Sequence, residues 1–171
     1  MKKVVDKCAR LWYTLVKIKR GAKAMKKFGF TPAENVKNHG VAVEWGICEH
    51  FNIERHVHDN VRYDRGSDVD FQDMHISVKA EKFTLMAGSL CEGRETFDGI
   101  WELYIERTHS NYAVYGTKDG RAFLMNMVEF KEFVYNFCSL GRESQKNGGA
   151  YKIKCRSESK ALLTWLEEHA A

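Results

Sequence analysis

The segment Ser67–Lys79, with the sequence SDVDFQDMHISVK, decides the expected fold of this chain. Apolar and polar residues alternate in Val69–Phe71 and again in Met74–Val78, and a period of two residues is typical of half-buried β-strands. The polar pair Gln72–Asp73 between the two runs is short enough to close a turn. The sequence therefore predicts a β-hairpin.

Four polar side chains would meet on this hairpin. Asp68 and Asp70 are two residues apart, so they share one face of the first strand. Pairing of the strands would set these two carboxylates beside Ser77 and Lys79 of the second strand. A lysine next to carboxylates can hold or polarise a water molecule. This pattern suits metal-dependent cleavage of phosphodiester bonds.

The hairpin resembles the active-site motif of the PD-(D/E)xK nuclease superfamily. In that family an acid stands at the start of one strand, and an acid, any residue and a lysine follow on the next strand. Asp68 matches the first acid and Lys79 the lysine, with Val78 at the free position. Ser77 stands where the second acid would be. The resemblance covers about residues 32–87 and implies an α/β fold, with a restriction-endonuclease-like mixed β-sheet flanked by helices.

The same resemblance implies a divalent-metal-dependent endonuclease, with DNA as the expected substrate and Mg²⁺ or Mn²⁺ as the cofactor. Asp68 would bind the metal together with the main-chain carbonyl of Val78. Either Glu44 or Asp70 would complete the ligand set, because members of the family sometimes supply a missing carboxylate from elsewhere, commonly from the helix before the sheet. Lys79 would orient the attacking water and stabilise the developing negative charge.

Glu44 lies on a predicted helix with an apolar stripe. Thr31–Glu34, with the sequence TPAE, is a capping box with proline at the first helical position, and it predicts a helix that runs to about Phe51. Glu44 falls inside the apolar stripe, where a carboxylate is costly unless a metal, a cation or hydrogen bonds compensate it. A slightly rotated helix would instead put Glu44 at the edge of the stripe, next to Lys37 or solvent.

The composition is that of a single globular domain. With 171 residues, of which 44% are hydrophobic, the chain can bury a sizeable core. No apolar run approaches the roughly 20 residues of a membrane span, and the charged start has no cleavable apolar core. The cysteines are scattered among apolar neighbours, which predicts reduced core residues and a cytoplasmic protein without a membrane partner. They are Cys8, Cys48, Cys91, Cys138 and Cys155.

Positive charge is concentrated near the N-terminus. Residues 1–27 carry ten lysines or arginines and one acid, a net charge of +9, although the whole chain has only +4. Apolar residues at helical spacing predict a basic amphipathic helix over residues 1–29, followed by a nuclease-like α/β core over residues 30–171. A solvated helix and a membrane-surface helix are the alternatives to nucleic-acid contact. The side chains expected to contact phosphates are Lys3, Lys7, Arg10 and Lys17.

The rest of the chain alternates predicted helices and strands. Asp119–Gly120 is a strong hairpin signal, and Phe83–Met86 either continues the motif strand or begins a turn. The other predicted elements are helices over 97–107 and 127–138, strands over 111–117, 121–127 and 150–155, a polar loop over 141–149, and a last helix capped by Ser157.

A zinc site is the first rival to the hairpin site. Its ligands would be Cys48, His50, His56 and His58. Cys48 and His50, however, diverge by about 200° on a helix, and the chain has no pair of cysteines at zinc-finger spacing. The zinc pattern is therefore weak.

Three further groups invite a chemical interpretation. Cys91 with His109 resembles a thiol and its base, although no neighbour in the sequence activates the thiol. The glycine-rich residues 141–149 lack the residue order of a phosphate-binding loop. His75, adjacent to the hairpin site, would act as a base or phosphate donor, or make an ordinary hydrogen bond.

Two further hypotheses do not need catalysis. A protein that kept the nuclease fold and lost an acid at Ser77 would bind nucleic acid without cleaving it. A structural or partner-binding protein of a mobile element or defence system is the other alternative. The sequence leaves open whether two copies pair as a homodimer.

Overall fold

The computed structural model describes residues 25–54, 68–71, 74–86, 95–142, 151–156 and 158–170. The hairpin predicted from the motif segment is confirmed. Strand β2, Val69–Phe71, pairs antiparallel with strand β3, Met74–Ala80, and Val69 lies opposite Ile76.

Strand β3 is an inner strand of a five-stranded sheet. The other members are β1 (Lys26–Gly29), β5 (Tyr112–Gly116) and β6 (Arg121–Asn126), and the order across the sheet is β1, β6, β5, β3, β2. Strands β3 and β5 are parallel, whereas the other neighbouring pairs of this sheet are antiparallel. A parallel pair needs a crossover connection, and helix α2, Phe97–Arg107, lies in the connection between β3 and β5.

One face of this sheet is covered by helix α1, His39–Phe51. Side chains alternate between the two faces of a strand, and the register of β3 and β5 puts Ile76 and Val114 on the same face. Both are buried together with Val43 and Ile47 of α1 in one apolar cluster. Helix α1 therefore packs over the β3 and β5 region.

The opposite face of the sheet forms the larger part of the core. It carries Ala113 and Tyr115, which are buried in a second cluster with aromatic residues of the remaining helices. These helices are α2 and two further ones, α3 (Met127–Phe137) and α4 (Lys160–His169). The main sheet thus lies between α1 on one side and α2, α3 and α4 on the other.

A second, smaller sheet closes the larger core. It contains β4 (Thr84–Met86), β7 (Cys138–Arg142) and β8 (Tyr151–Cys155) in the antiparallel order β4, β8, β7. Its Leu85 and Ile153 belong to the larger cluster. The segment around residues 83–86 therefore forms a separate strand, and it neither continues β3 nor remains a turn.

Helix α1, which carries Glu44, begins later than predicted. Thr31–Glu34 lies outside the helix, and the N-cap is Asn38, whose side chain accepts a hydrogen bond from the Val41 N–H at 3.3 Å. Asn35 between them has a φ of 60°, in the left-handed region that interrupts a helix. The predicted capping box is therefore wrong, although the helix itself and its end at Phe51 are confirmed.

A tertiary contact explains this late start. The N–H of Ala33 donates to the carbonyl of Ala42 at 2.9 Å, so the TPAE segment runs alongside α1 instead of entering it. Gly46 permits the close approach, because a β-carbon at this position would lie 2.2 Å from the carbonyl oxygen of Thr31. The Ala33 N–H is thus bonded to the side of α1, and the segment passes the helix before the chain enters it at Asn38.

Two boundaries near the C-terminus also differ from expectation. The N-cap of α4 is Ser159, whose hydroxyl accepts a hydrogen bond from the Leu162 N–H at 3.2 Å. The predicted cap, Ser157, lies outside the described residues. The predicted polar loop over 141–149 starts too early, since Gly141 and Arg142 pair with β8.

The predicted N-terminal segment, residues 1–29, reaches into the main sheet. Its last residues, Lys26–Gly29, form β1 and pair with β6, so they belong to the core and not to a separate helix. Residues 1–24 lie outside the described residues. The basic helix, with Lys3, Lys7, Arg10 and Lys17, therefore stays a prediction.

The architecture is mixed α/β, with a mixed sheet flanked by helices, as the sequence predicted. The helices expected over 97–107 and 127–138 are confirmed as α2 and α3, and the hairpin at Asp119–Gly120 joins β5 to β6. In the described part of the chain, no helix is long and apolar enough to cross a membrane.

Candidate functional site

The carboxylate of Asp68 is held at the edge of β3. Asp68 precedes β2 directly, and its main-chain N–H donates to the Ile76 carbonyl at 2.9 Å. Its side-chain Oδ2 accepts a hydrogen bond from the Val78 N–H at 2.6 Å. Val78 lies beyond the last paired residues of β2 and β3, so the acid takes the position that a neighbouring strand would occupy.

The main chain of Val78 points to the same edge as the Asp68 carboxylate. The N–H and C=O of one residue in a strand point to the same side, and successive residues point to opposite sides. His75 shows this alternation, because its carbonyl accepts the Asn111 N–H on the β5 side at 2.9 Å. The Val78 carbonyl is therefore directed to the Asp68 side, and the structure brings these two predicted site groups together.

Lys79 follows Val78 on β3. It lies opposite Tyr115 of β5, on the face of the sheet that carries the larger core, and it is only partly exposed at the end of the strand. Toward the described residues, its ammonium group makes no hydrogen bond or ion pair. A positive charge at this position is therefore available for a ligand or water.

Ser77 is enclosed in the core. It lies opposite Ala113 of β5 and is only 1% exposed. A carboxylate in its place would be transferred from water to an apolar environment, which costs several kcal/mol without a compensating cation. The departure from the family pattern at Ser77 is thus consistent with its surroundings.

Asp70 and His75 form a separate pair on the hairpin. They are opposite each other in the register of β2 and β3, and Asp70 Oδ1 lies 2.7 Å from His75 Nδ1. Both side chains are about half exposed. Of the two roles considered for His75, the ordinary hydrogen bond is the one that the structure contains.

Glu44 is buried inside the interface between α1 and the main sheet. It is 5% exposed, so the prediction that it lies in the apolar stripe and not at its edge is confirmed. Its neighbour Val43 belongs to the same cluster as Val69, the residue after Asp68. Helix α1 covers the face opposite to that of Ser77, so Glu44 and Ser77 belong to opposite sides of the main sheet.

The expected ligand set consists of Asp68, the Val78 carbonyl and either Glu44 or Asp70. Within the described residues, no three His, Cys, Asp or Glu side chains lie together in a way that could hold a metal ion. Asp68 and the Val78 carbonyl are nevertheless two oxygen donors directed to one edge. Mg²⁺ commonly uses one or two carboxylates and completes its six ligands with water and phosphate oxygens, so these donors fit Mg²⁺ or Mn²⁺.

The zinc interpretation finds no support in the described ligands. Cys48 is fully buried in the α1 cluster, whereas His50 stacks on Phe28 with ring centroids 5.8 Å apart. His56 and His58 lie outside the described residues. Cys48, like Cys138 and Cys155, is buried or half-buried and forms no disulfide within the described residues, as the sequence predicted for these three.

The remaining rival groups are only partly described. His109 is exposed at the end of α2, and Cys91 lies outside the described residues. Gly141 and Arg142 belong to β7, and residues 143–149 also lie outside. Neither the thiol interpretation nor the phosphate-loop interpretation gains a contact from the structure.

No sequence pattern predicted the ion-pair network around Arg121. Its guanidinium lies 2.7 Å from Asp119 and 2.6 Å from Glu167, and Glu167 also lies 2.7 Å from Lys27. Hydrogen bonds from Arg121 and from the Thr117 hydroxyl lower the pKa of Asp119 to about 2. Lys27 and then Arg121 lower the pKa of Glu167. The network ties β1, the β5–β6 hairpin and α4 together.

Comparison with protein-family models, with curated proteins and with solved structures found no match for this chain.

Proposed function

We propose that this protein is a divalent-metal-dependent endonuclease with a restriction-endonuclease-like core, and that DNA is its substrate. The hydrogen bond from the Val78 N–H to Asp68 carries the proposal. It groups a carboxylate and a main-chain carbonyl at one strand edge, directly before the lysine of the resembled motif. Lys79 then supplies a positive charge within one residue of the two oxygen donors.

Asp68 and the Val78 carbonyl would hold the metal ion. Glu44 is the candidate for a further ligand, because it is buried on the helix that packs over Val69, next to Asp68. Asp70 is a weaker candidate, because its Oδ1 already lies 2.7 Å from His75 Nδ1. When bound, Mg²⁺ or Mn²⁺ lowers the pKa of a coordinated water and neutralises charge on the scissile phosphate.

Lys79 is the residue expected to act on the substrate directly. Its ammonium group would donate a hydrogen bond to the attacking water and stabilise negative charge that develops on the phosphate. The side chain leaves the core at the end of β3, where it is partly exposed, so it can contact a phosphate without losing a buried partner.

A non-catalytic nucleic-acid-binding protein is the second candidate. The observation in its favour is the burial of Ser77, which is 1% exposed opposite Ala113 and leaves no room for a second acid at that position. A site with a single hairpin carboxylate would bind a divalent metal more weakly than a site with two.

Cleavage of supercoiled plasmid DNA, with Mg²⁺, with Mn²⁺ and with a chelator, tests the proposal. We expect metal-dependent nicking or linearisation that is lost in Asp68→Asn and in Lys79→Ala. The matched controls are Asp98→Asn and Lys131→Ala, which remove the same charges from exposed helix positions. Absence of cleavage by the wild-type protein with either metal, together with intact DNA binding, would favour the non-catalytic candidate.

A further inference from the structure

The small sheet has one face that points away from the core. Leu85 and Ile153 are buried on its inner face. Side chains alternate along a strand, so Lys152 and Lys154 of β8 point outward. In the register of the sheet, Lys154 lies opposite Thr84 and Ser139, and Lys152 lies opposite Met86 and Gly141.

This outer face is basic and carries no acid among its described residues. Lys82 before β4 and Arg156 after β8 follow the same alternation, and both are exposed. No aspartate or glutamate occurs in residues 82–86, 138–142 or 151–156. The nearest acid in the sequence, Glu81, lies 2.8 Å from Lys118, which lowers the pKa of Glu81 by donating a hydrogen bond.

Several basic side chains outside this face are paired with carboxylates in the described chain. Lys27, Lys118 and Arg121 each lie within 2.8 Å of a carboxylate. By contrast, Lys82, Lys154 and Arg156 form no ion pair with a described residue. Unpaired like charges repel one another, so a cluster of this kind is stabilised by an anionic partner.

The arrangement of the cations suits an extended partner. Lysines two residues apart in a strand stand about 6.7 Å apart, so Lys152, Lys154 and Arg156 form a row. The stem of Lys154 lies across Gly141, whose added β-carbon would be 3.3 Å from two of its carbon atoms. The Lys154 side chain therefore lies along the surface of the sheet.

We propose that the outer face of the small sheet, with Lys82, Lys152, Lys154 and Arg156, binds the phosphate backbone of a nucleic acid. One strand of a duplex carries a charge for every 3.4 Å of helix axis, so the row repeats at about the axial rise of two nucleotides. An anionic membrane would also attract this charge, but membrane-surface binding needs apolar side chains that insert. The residues that flank Lys154 in the sheet, Thr84 and Ser139, are polar and exposed.

The basic face lies close to the proposed cleavage site. Lys82 follows Lys79 by three residues, so their α-carbons are at most about 11 Å apart. A strand held on the small sheet would therefore pass near the end of β3. The identity of the partner as nucleic acid rests on the proposed function, whereas the presence of a polyanion-binding face does not.

Binding in the absence of metal tests this inference separately from cleavage. Fluorescence anisotropy with a labelled 30-base-pair DNA duplex, in chelator and over a series of salt concentrations, is measured for the wild-type chain and for the triple variant Lys82→Gln, Lys154→Gln, Arg156→Gln. We expect the slope of log affinity against log salt to fall by about 2.7, at about 0.9 per lost phosphate contact. Affinity at 0.1 M salt should fall by about two orders of magnitude.

A second triple variant controls for net charge. Lys37→Gln, Arg107→Gln, Lys131→Gln removes three exposed positive charges that lie off the small sheet. It should keep the wild-type slope, and both triple variants should melt within a few degrees of the wild type. An equal loss of DNA affinity in both variants would overturn the inference, because the change in net charge alone would then explain the loss. Unchanged DNA binding in the first variant, with lost binding to phosphatidylserine vesicles, would overturn it in favour of a membrane.

Discussion

Replacement of Asp68 should separate its structural role from its chemical role. In Asp68→Ala, the Val78 N–H loses the acceptor that lies 2.6 Å away. An unsatisfied buried N–H costs about 1–3 kcal/mol, and Val78 is only half buried, so about 1–2 kcal/mol is expected. In Asp68→Asn an acceptor oxygen remains, and only the charge-assisted part of the bond is lost, which is about 1 kcal/mol or less.

Urea denaturation and thermal melting in chelator measure these two costs without metal. For a chain of 171 residues, 1 kcal/mol corresponds to roughly 3 °C, so Asp68→Ala should melt about 3–6 °C lower and Asp68→Asn at most about 3 °C lower. Cleavage should be lost equally in both variants, because the neutral amide is a poor metal ligand. Asp70→Ala, whose side chain pairs with exposed His75, is the comparison and should cost less than about 1 kcal/mol.

Two results would refute this reasoning. Equal stability of Asp68→Ala and the wild type would mean that the Asp68 carboxylate does not satisfy the Val78 N–H in solution. Retained cleavage in Asp68→Asn would mean that the carboxylate is not a ligand of the catalytic metal. Loss of cleavage in Asp70→Ala at unchanged stability would mean that Asp70 is a ligand of the catalytic metal.

Three other predictions concern metal binding, the core and acid stability. Millimolar Mn²⁺ should raise the melting temperature of the wild type by linkage but not that of Asp68→Asn, and an equal rise in both would locate the metal elsewhere. Tyr115→Phe should be neutral or slightly stabilising in urea denaturation, because the fully buried phenol oxygen has no hydrogen-bond partner among the described residues; a loss above about 1 kcal/mol would reveal one. Asp119 has its pKa lowered from 3.8 to about 2 by Arg121 and Thr117, so its contribution is present above pH 4 and lost toward pH 2. Asp119→Asn should therefore lower stability by at most about 1 kcal/mol at pH 7 and by nothing near pH 2, and a constant deficit at both values would exclude this linkage.

Local patterns predicted the elements of this fold better than their connections. The hairpin of β2 and β3, the β5–β6 hairpin and helices α2 and α3 follow from alternation, an Asp-Gly turn and apolar stripes, all of which act within a few residues. The start of α1 did not follow, because Ala33 donates to Ala42 and the segment crosses Gly46, a contact between parts of the chain that no local pattern contains. Tertiary contact overrode a good capping sequence.

The pairing of the hairpin strands was predicted from the sequence, but the surroundings of their polar side chains were not. Alternation led to the expectation that Asp68, Asp70, Ser77 and Lys79 would share one polar face. Ser77 instead faces the core, and Asp70 is paired with His75. The ion-pair network of Arg121 was missed altogether, because Glu167 is 46 residues away in sequence and has no spacing rule that connects them.

The edge of β3, and not one of its faces, is what unites the candidate site residues. On β3, the side chains of even-numbered residues such as Ile76 pack toward α1, whereas Lys79 lies on the opposite face. The main-chain groups of Val78 point sideways between these two faces, toward Asp68. A metal ion at that edge would lie between the face covered by α1, the helix of Glu44, and the face from which Lys79 leaves. A site of this kind does not need an acid at Ser77, because its third donor would come from the helix and not from the strand.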